Sequence, residues 1–204
     1  MARATTPFSG LTVLDFSRYL PGGYATQVLA DLGATVIKCE DTGAGDFMRH
    51  DYPTMGNGIS YYITALGRNK KSVSLNLKDQ EVVDWFLKMA KEADVIVESF
   101  RPGVTKKLGI DYETVNKINP GIIYCSISGY GAEDPRSKKA QHDLNMQATS
   151  GYLSVNHGGT SPLHLCDLSS GMVAGQAILA ALYAREQTGK GTYIDTVSYT
   201  HLTL

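Results

Sequence analysis

Short runs of β-branched residues, separated by stretches with helical spacing, constrain this chain more than anything else in it. The runs are Thr12-Val13-Leu14-Asp15-Phe16, Thr35-Val36-Ile37-Lys38-Cys39, Ser72 to Leu77, Asp94 to Glu98 and Ile122 to Ile127. Tyr24 to Leu32 predicts a helix between the first two, stopped by Gly33. Gln80 to Glu92 places Val83, Phe86, Leu87 and Ala90 on one helical face, and Tyr112 to Ile118 predicts a shorter helix. Strand–helix–strand repetition of this kind needs crossover connections, which are right-handed. The expected fold class is therefore α/β, with a mostly parallel sheet and flanking helices. Asp41 to Gly58 is rich in glycine and polar residues and reads as a long loop, a length usually kept for function.

After Gly129 the pattern loosens. Asp143 is expected to cap a helix running through Leu144 and Ala148 to Gly151, and Ser169 or Ser170 to open a small-residue helix ending near Gln187. Thr192 to Asp195 reads as one more strand start, and the chain stops soon afterwards with no helix to seal the sheet. Several function classes are disfavoured at once. With 19 Lys+Arg against 20 Asp+Glu the net charge is −1, so no basic excess exists to meet a nucleic-acid backbone. The apolar stretch Met172 to Ala184 is short for a bilayer, and MARATTPFSG has no apolar core to act as a signal peptide. Cys39, Cys125 and Cys166 are scattered and odd in number, which suits a reducing cytoplasm better than a disulfide scaffold.

The chemistry on offer is narrow. A dinucleotide site needs G-x-G-x-x-G after the first strand. The turn reads Leu20-Pro21-Gly22-Gly23-Tyr24, and Glu40 alone is not a ribose site. His157, His164 and Cys166 lack zinc-ligand spacing and read as exposed loop histidines with a packed thiol, so no metal is expected. No G-x-S-x-G elbow is present. Two carboxylate-centred places remain. His142-Asp143 sets an imidazole at a helix start, where the helix dipole favours the neutral form a general base requires. Leu165-Cys166-Asp167-Leu168-Ser169-Ser170-Gly171 sets an acid among apolar and small residues at a second helix start. Asp167 there is either a nucleophile or proton carrier, with helix-start N–H groups as oxyanion donors, or a plain N-cap.

Several stretches taken together resemble family III CoA-transferases, the CaiB/BaiF group. They are G-L-T-V-L-D-F, L-P-G-G-Y-A-T-Q-V-L-A-D-L-G-A-T-V-I-K-C-E, R-N-K-K-S-V-S-L-N-L-K, A-D-V-I-V-E-S-F-R-P-G-V, I-S-G-Y-G, H-D-L-N, C-D-L-S-S-G and T-G-K-G-T-Y-I-D. The resemblance runs in order from about Gly10 to Asp195. It implies a Rossmann-like large domain over residues 1–195 that binds coenzyme A, and an interlocked homodimer. A small domain and a C-terminal return segment are expected to be missing, with 196–204 a tail that departs from the family pattern.

The resemblance also implies roles. The acid at Asp167 attacks an acyl-CoA, giving a mixed anhydride and then an aspartyl-CoA thioester, so that CoA passes between carboxylic acids. Racemases of the same group instead pair that acid with a histidine at the position of His142 to move the α-proton of a 2-methylacyl-CoA. Leu20 and His142 both lean toward that branch. Leu75, Asn76, Lys78, Ser99, Phe100, Arg101 and Lys107 match segments that line the nucleotide, and Gly22 and Gly23 leave room for the pantetheine arm. Asp41 stands where relatives often carry Arg. No permanently bound cofactor is implied, since CoA and acyl-CoA are substrates. Three readings follow: a CoA-transferase acting through Asp167, a racemase using His142 and Asp167, and an inactive fragment that binds CoA.

Overall fold

In the computed structural model, which describes residues 6–198, six strands form one all-parallel sheet. They are β1 (Thr12–Phe16), β2 (Thr35–Glu40), β3 (Lys70–Ser74), β4 (Val95–Glu98), β5 (Ile123–Ser128) and β6 (Thr192–Val197), in the order β3-β2-β1-β4-β5-β6. The helices are α1 (Tyr19–Asp31), α2 (Tyr61–Leu66), α3 (Gln80–Glu92), α4 (Val104–Leu108), α5 (Tyr112–Ile118), α6 (Asp143–Thr149), α7 (Tyr152–Val155) and α8 (Leu165–Thr188). The expected α/β class and parallel sheet are what the chain adopts. Strand order reverses direction between β1 and β4, and ligands of open parallel sheets bind outside the carboxyl ends at such a point.

Two cores sandwich the sheet. Val13, Val95, Val97, Ile123 and Cys125 pack under Ala25 and Leu29 of α1 and Ala174, Ile178 and Leu182 of α8. Leu14, Phe16, Ile96 and Tyr124 face Val83, Phe86 and Ala90 of α3 and Val115 of α5. Phe16 meets Phe86 edge to face, with ring centres 5.2 Å apart.

Element boundaries differ from expectation where tertiary contacts intervene. The first helix starts at Tyr19, not Tyr24, so Pro21 lies in a first turn where its missing N–H leaves nothing unpaired. A Cβ on Gly22 would stand 2.0 Å from the Ser17 Cβ, so only glycine lets the strand-to-helix corner close. The third strand runs Lys70–Ser74 instead of ending at Leu77, because its partner β2 ends at Glu40, the residue paired with Ser74. The long loop holds a 3₁₀ turn at Phe47–Arg49. The short α2, α4 and α7 have no counterpart in the sequence reading. Thr196 and Val197 continue β6, while residues 199–204 of the expected tail lie outside the described residues.

The last long helix begins at Leu165, so Asp167 sits within its first turn and is not an N-cap. Ser169 and Ser170 do not open it: their hydroxyls donate back to the carbonyls of Cys166 and Asp167. With 24 residues it is long and apolar enough to cross a membrane by length and composition. Here Ser170, Gly171, Ala174, Ile178 and Leu182 are buried against the rest of the domain.

A buried ionic cluster ties β1, β2, β3 and α1 together. Asp15 is fully buried, and the hydroxyls of Ser17 and Thr26 donate to it at 2.5 and 2.6 Å. The ammonium groups of Lys38 and Lys70 lie 3.8 and 3.3 Å away. Burial works to raise its pKa, but the two lysines and two hydroxyls outweigh it and hold the carboxyl below its ordinary value. Lys38 also pairs with Asp46 at 2.7 Å, and Asp46 accepts the N–H groups of Met48 and Tyr19 at 3.0 and 3.3 Å.

Replacing Asp15 removes half of the negative charge facing two buried lysines. Asp15→Asn is expected to lose about 3–5 kcal/mol of stability, read by urea unfolding through the fluorescence of Trp85. The folded pKa lies below the ordinary 3.8. The contribution is therefore present above that value and lost as pH falls through the folded one. Below it, wild type should lose stability more steeply than the variant.

Candidate active site

The carboxyl ends of the central strands open into a cavity of about 960 Å³. Its floor is the β1–α1 corner from Arg18 to Pro21, and one wall is the turn Ser99-Phe100-Arg101 after β4. The opposite wall combines the starts of α6 and α8, which bring His142, Asp143, His164 and Asp167 to one place. The approach of α8 depends on Gly171, where a Cβ would lie 2.6 Å from the Pro21 carbonyl oxygen. No bulkier residue lets the first turns of α8 rest on the start of α1.

Asp143 organises this wall. It is buried, and its Oδ1 accepts the N–H groups of Cys166 and Asp167 at 2.7 and 3.1 Å. Its Oδ2 accepts from Gln147 Nε2 at 2.5 Å. A carboxylate from one helix thus caps the start of another. Two of the helix-start N–H groups, the kind expected to serve as oxyanion donors, are therefore already occupied.

Asp167 is left as the unsatisfied acid. Among the described residues no hydrogen-bond donor reaches its carboxyl. Burial, and then the Asp143 carboxylate, push its pKa up to about 6, against the pull of His164 and His142. His142 is the N-cap residue of α6, is exposed, and donates its own N–H to Asn145 Oδ1 at 2.6 Å. The Tyr19 ring stands edge-on to it at 6.5 Å.

His164, expected to be a plain loop histidine, is the N-cap residue of α8. Its ring can come within 4.8 Å of the carboxylates of Asp143 and Asp167. That trio has the donor set of a cation site. Both Asp143 oxygens already accept hydrogen bonds, so the clustering has a sufficient cause in helix capping. The buried thiols of Cys39, Cys125 and Cys166 are each pushed up to about 12, chiefly by burial, and are not nucleophiles at neutral pH.

Of the residues that sequence assigns to the site, Asp167, His142, Ser99, Phe100 and Arg101 line the cavity together. Leu75 packs against the α3-side core, Asn76 and Lys78 are exposed beyond the end of β3, and Lys107 is exposed in the last turn of α4. None of these four lines the cavity. Gly22 and Gly23 are buried beneath it, and their Cα faces meet Ser17 and the side chains of Met48 and Leu66.

Glu40, the one acid that suited a ribose, is consumed internally. Arg49 clamps it at 2.5 and 2.6 Å and Ser72 donates at 2.6 Å. These contacts, with the Asp46 N–H, overcome burial and hold it at about 2. Asp41 pairs with Arg18 at 2.7 Å, and the Arg18 guanidinium lies over the Phe47 ring. Arg18 was passed over by sequence reasoning, while Asp143 was read as a helix cap beside His142 and His164 as an exposed loop histidine. Adjacency to His142 and the H-L-C-D spacing were the only signals for the last two.

Comparison with known proteins agrees with this geometry. The family model described as CoA-transferase family III matches residues 8–203. The chain is similar to acetyl-CoA:oxalate CoA-transferase of Acetobacter aceti, at 43% identity over 95% of this chain and 51% of that enzyme. It is 41% identical to human succinyl-CoA:glutarate CoA-transferase over 93% of this chain and 44% of that enzyme. A crystal structure of a CaiB/BaiF family protein from Brucella suis superposes with a TM-score of 0.90 at 33% identity, covering 98% of this chain and 55% of that one. The chain spans about half the length of the curated relatives it matches.

The coupling of the two acids is directly measurable. Asp143→Asn keeps an acceptor oxygen for the α8 N–H groups and removes the neighbouring charge. The Asp167 carboxyl should then titrate below about 6, as followed by carbon NMR of the side-chain carboxyls. An unchanged or higher value contradicts the account of its shift.

Proposed function

This chain belongs to CoA-transferase family III, and from that membership we propose that the protein carrying it transfers CoA between carboxylic acids through Asp167. The carrying observation is the Asp167 carboxyl itself: in the cavity, reached by no hydrogen-bond donor among the described residues, and raised to about 6. Such a group is ionised at neutral pH yet more basic than an ordinary carboxylate, which suits a nucleophile.

In the proposed reaction Asp167 attacks the thioester carbonyl and CoA leaves as thiolate, giving a mixed anhydride. The thiolate attacks the aspartyl carbonyl and releases the first acid, leaving an aspartyl-CoA thioester. The incoming carboxylate attacks that thioester, and the freed thiolate takes the new acyl group, restoring Asp167. Every bond broken is matched by one formed, and no net proton moves. Ser99, Phe100 and Arg101 form the CoA-facing wall in this reading. Lys107, Asn76 and Lys78, with Leu75 beside them, are proposed to meet the nucleotide farther out, where the exposure of the two lysines and Asn76 supports contact with phosphates.

The relatives are named for oxalate and glutarate, so a short dicarboxylic acid is the proposed acceptor. A homodimer and a cytoplasmic setting are proposed with it. Three buried free thiols fit a reducing compartment.

A racemase reading has one observation in its favour, the exposed His142 on the same wall as Asp167. It is the weaker of the two. The enolate it forms needs N–H donors, and those of Cys166 and Asp167 are taken by Asp143.

Trapping separates the readings in the full-length protein. During turnover with acyl-CoA and a dicarboxylic acid, hydroxylamine or borohydride should mark Asp167, and Asp167→Ala should reduce transfer to background. His142→Phe should stay within about tenfold, since deleting a true general acid or base loses about a hundredfold or more. Solvent deuterium entering the α-position without any Asp167 adduct would decide for the racemase. A folded protein giving neither signal would leave only the inactive, CoA-binding reading.

A further inference from the structure

One row of the sheet near its carboxyl edge runs Phe16, Glu98, Ser126 and Asp195 across β1, β4, β5 and β6. Aligned residues in a parallel sheet point to one face. The neighbouring row on that face brings Tyr124 and Tyr193 side by side, with ring centres 6.1 Å apart. Glu98 is buried there and does not line the cavity, and the reaction proposed above gives it no role.

Its reach comes from a single hydrogen bond. Oε2 accepts the Phe100 N–H at 2.7 Å, which closes the turn that forms the cavity wall. From the other side of the switch point, the Arg18 N–H donates to Ser99 Oγ at 2.8 Å. The segment between has no regular structure. These two braces therefore hold Phe100 and Arg101 toward the cavity.

We propose that Glu98 is a positioning residue for acyl-CoA binding: by holding the Phe100 N–H, its carboxylate sets the shape of the Ser99–Phe100–Arg101 wall. This rests on the reading of the cavity as an acyl-CoA site. Ionisation matters because a hydrogen bond to a charged acceptor is about twice as strong as one to a neutral acceptor. Burial pushes the Glu98 carboxyl up to about 7, opposed by the Ser126 hydroxyl and the Phe100 N–H and reinforced by Asp195. The brace therefore weakens as pH falls through neutrality.

The groups beside Glu98 on this side are the charged Asp195 carboxylate of the same row and the phenols of Tyr124 and Tyr193, which stay protonated in that range. Burial, with Glu98 itself behind it, raises Tyr124, and on the opposite face of the sheet burial pushes the Cys125 thiol up to about 12. Tyr193 is raised chiefly by burial and then by Asp195. From β1 and α3 the apolar Phe16 and Phe86 pack on this side. The ionised brace has a stability cost. A folded value above the ordinary 4.5 means the stabilising contribution is full below 4.5 and lost as pH rises through about 7.

The test is calorimetric titration of CoA into the full-length protein from about pH 6 to 8.5, comparing wild type, Glu98→Gln and Glu98→Ala. Glutamine keeps an acceptor for the Phe100 N–H but cannot ionise. The affinity ratio of wild type to Glu98→Gln should rise about three- to tenfold across that range. Titration of the CoA phosphates and of Asp167 is common to both proteins and cancels. Glu98→Ala should raise KM for acyl-CoA about tenfold while kcat stays within about twofold. A ratio that is flat with pH overturns the proposal, including where the alanine variant fails to fold. So does a fall in kcat with KM unchanged. Wild type that binds no CoA overturns the acyl-CoA reading and this proposal together. Wild type that binds, with Glu98→Gln matching it at every pH, overturns this proposal alone.

Discussion

The pairing of Asp15 with Lys38 and Lys70 is the interaction on which the rest of this structure leans. A lone carboxylate with no exposed surface is prohibitively unfavourable, and so is a lone buried ammonium. Together with Asp46 they form a neutral set of four charges, each within hydrogen-bond or ion-pair reach of another. The set spans three strands and the corner leading into α1. It pins their register more sharply than apolar packing, which tolerates substitution of one branched residue by another.

That pinning reaches the cavity floor. Asp46 accepts the Tyr19 N–H, and Tyr19 holds a left-handed φ of 60°, a conformation that costs a non-glycine residue about 1–3 kcal/mol. The strain is sustained because the corner is fixed on both sides, by the buried charges below and by stacking of the Tyr19 ring on Phe47 above. The result aims Arg18, Tyr19 and Leu20 upward at the switch point, where the Arg18 N–H meets Ser99. A structural ion cluster thus positions the floor of the cavity.

On the opposite wall, two aspartates a few ångströms apart take opposite parts. Asp143 is saturated with hydrogen bonds and serves architecture, while among the described residues no donor reaches the Asp167 carboxyl. Neither part follows from residue type. Asp143 follows His142 directly, and the pair reads most naturally as a base with its neighbour. Only the packing of α6 against the first turn of α8 turns that acid toward Cys166 and Asp167. Gly171 carries the same lesson: in sequence it ends a small-residue run, and in space it admits the Pro21 carbonyl.

The strands, the two amphipathic helices of the α3 side and the parallel sheet were legible in the sequence. Their information is local: period-two and 3.6-residue patterns of burial survive without knowledge of the partner. Asp167, His142 and the Ser99–Arg101 turn were legible as a site through an ordered set of motifs. What the sequence did not contain is which polar groups meet. Lys70 meets Asp15, 55 positions earlier in the chain, and Glu40 serves Arg49 and Ser72 instead of a ribose. Glu98 acquires its place because β5 and β6 bring Ser126 and Asp195 alongside. Hydrogen bonds and ion pairs are decided by distances of a few tenths of an ångström between residues far apart in sequence. Those distances exist only once the sheet has closed and α1 and α8 have settled on it.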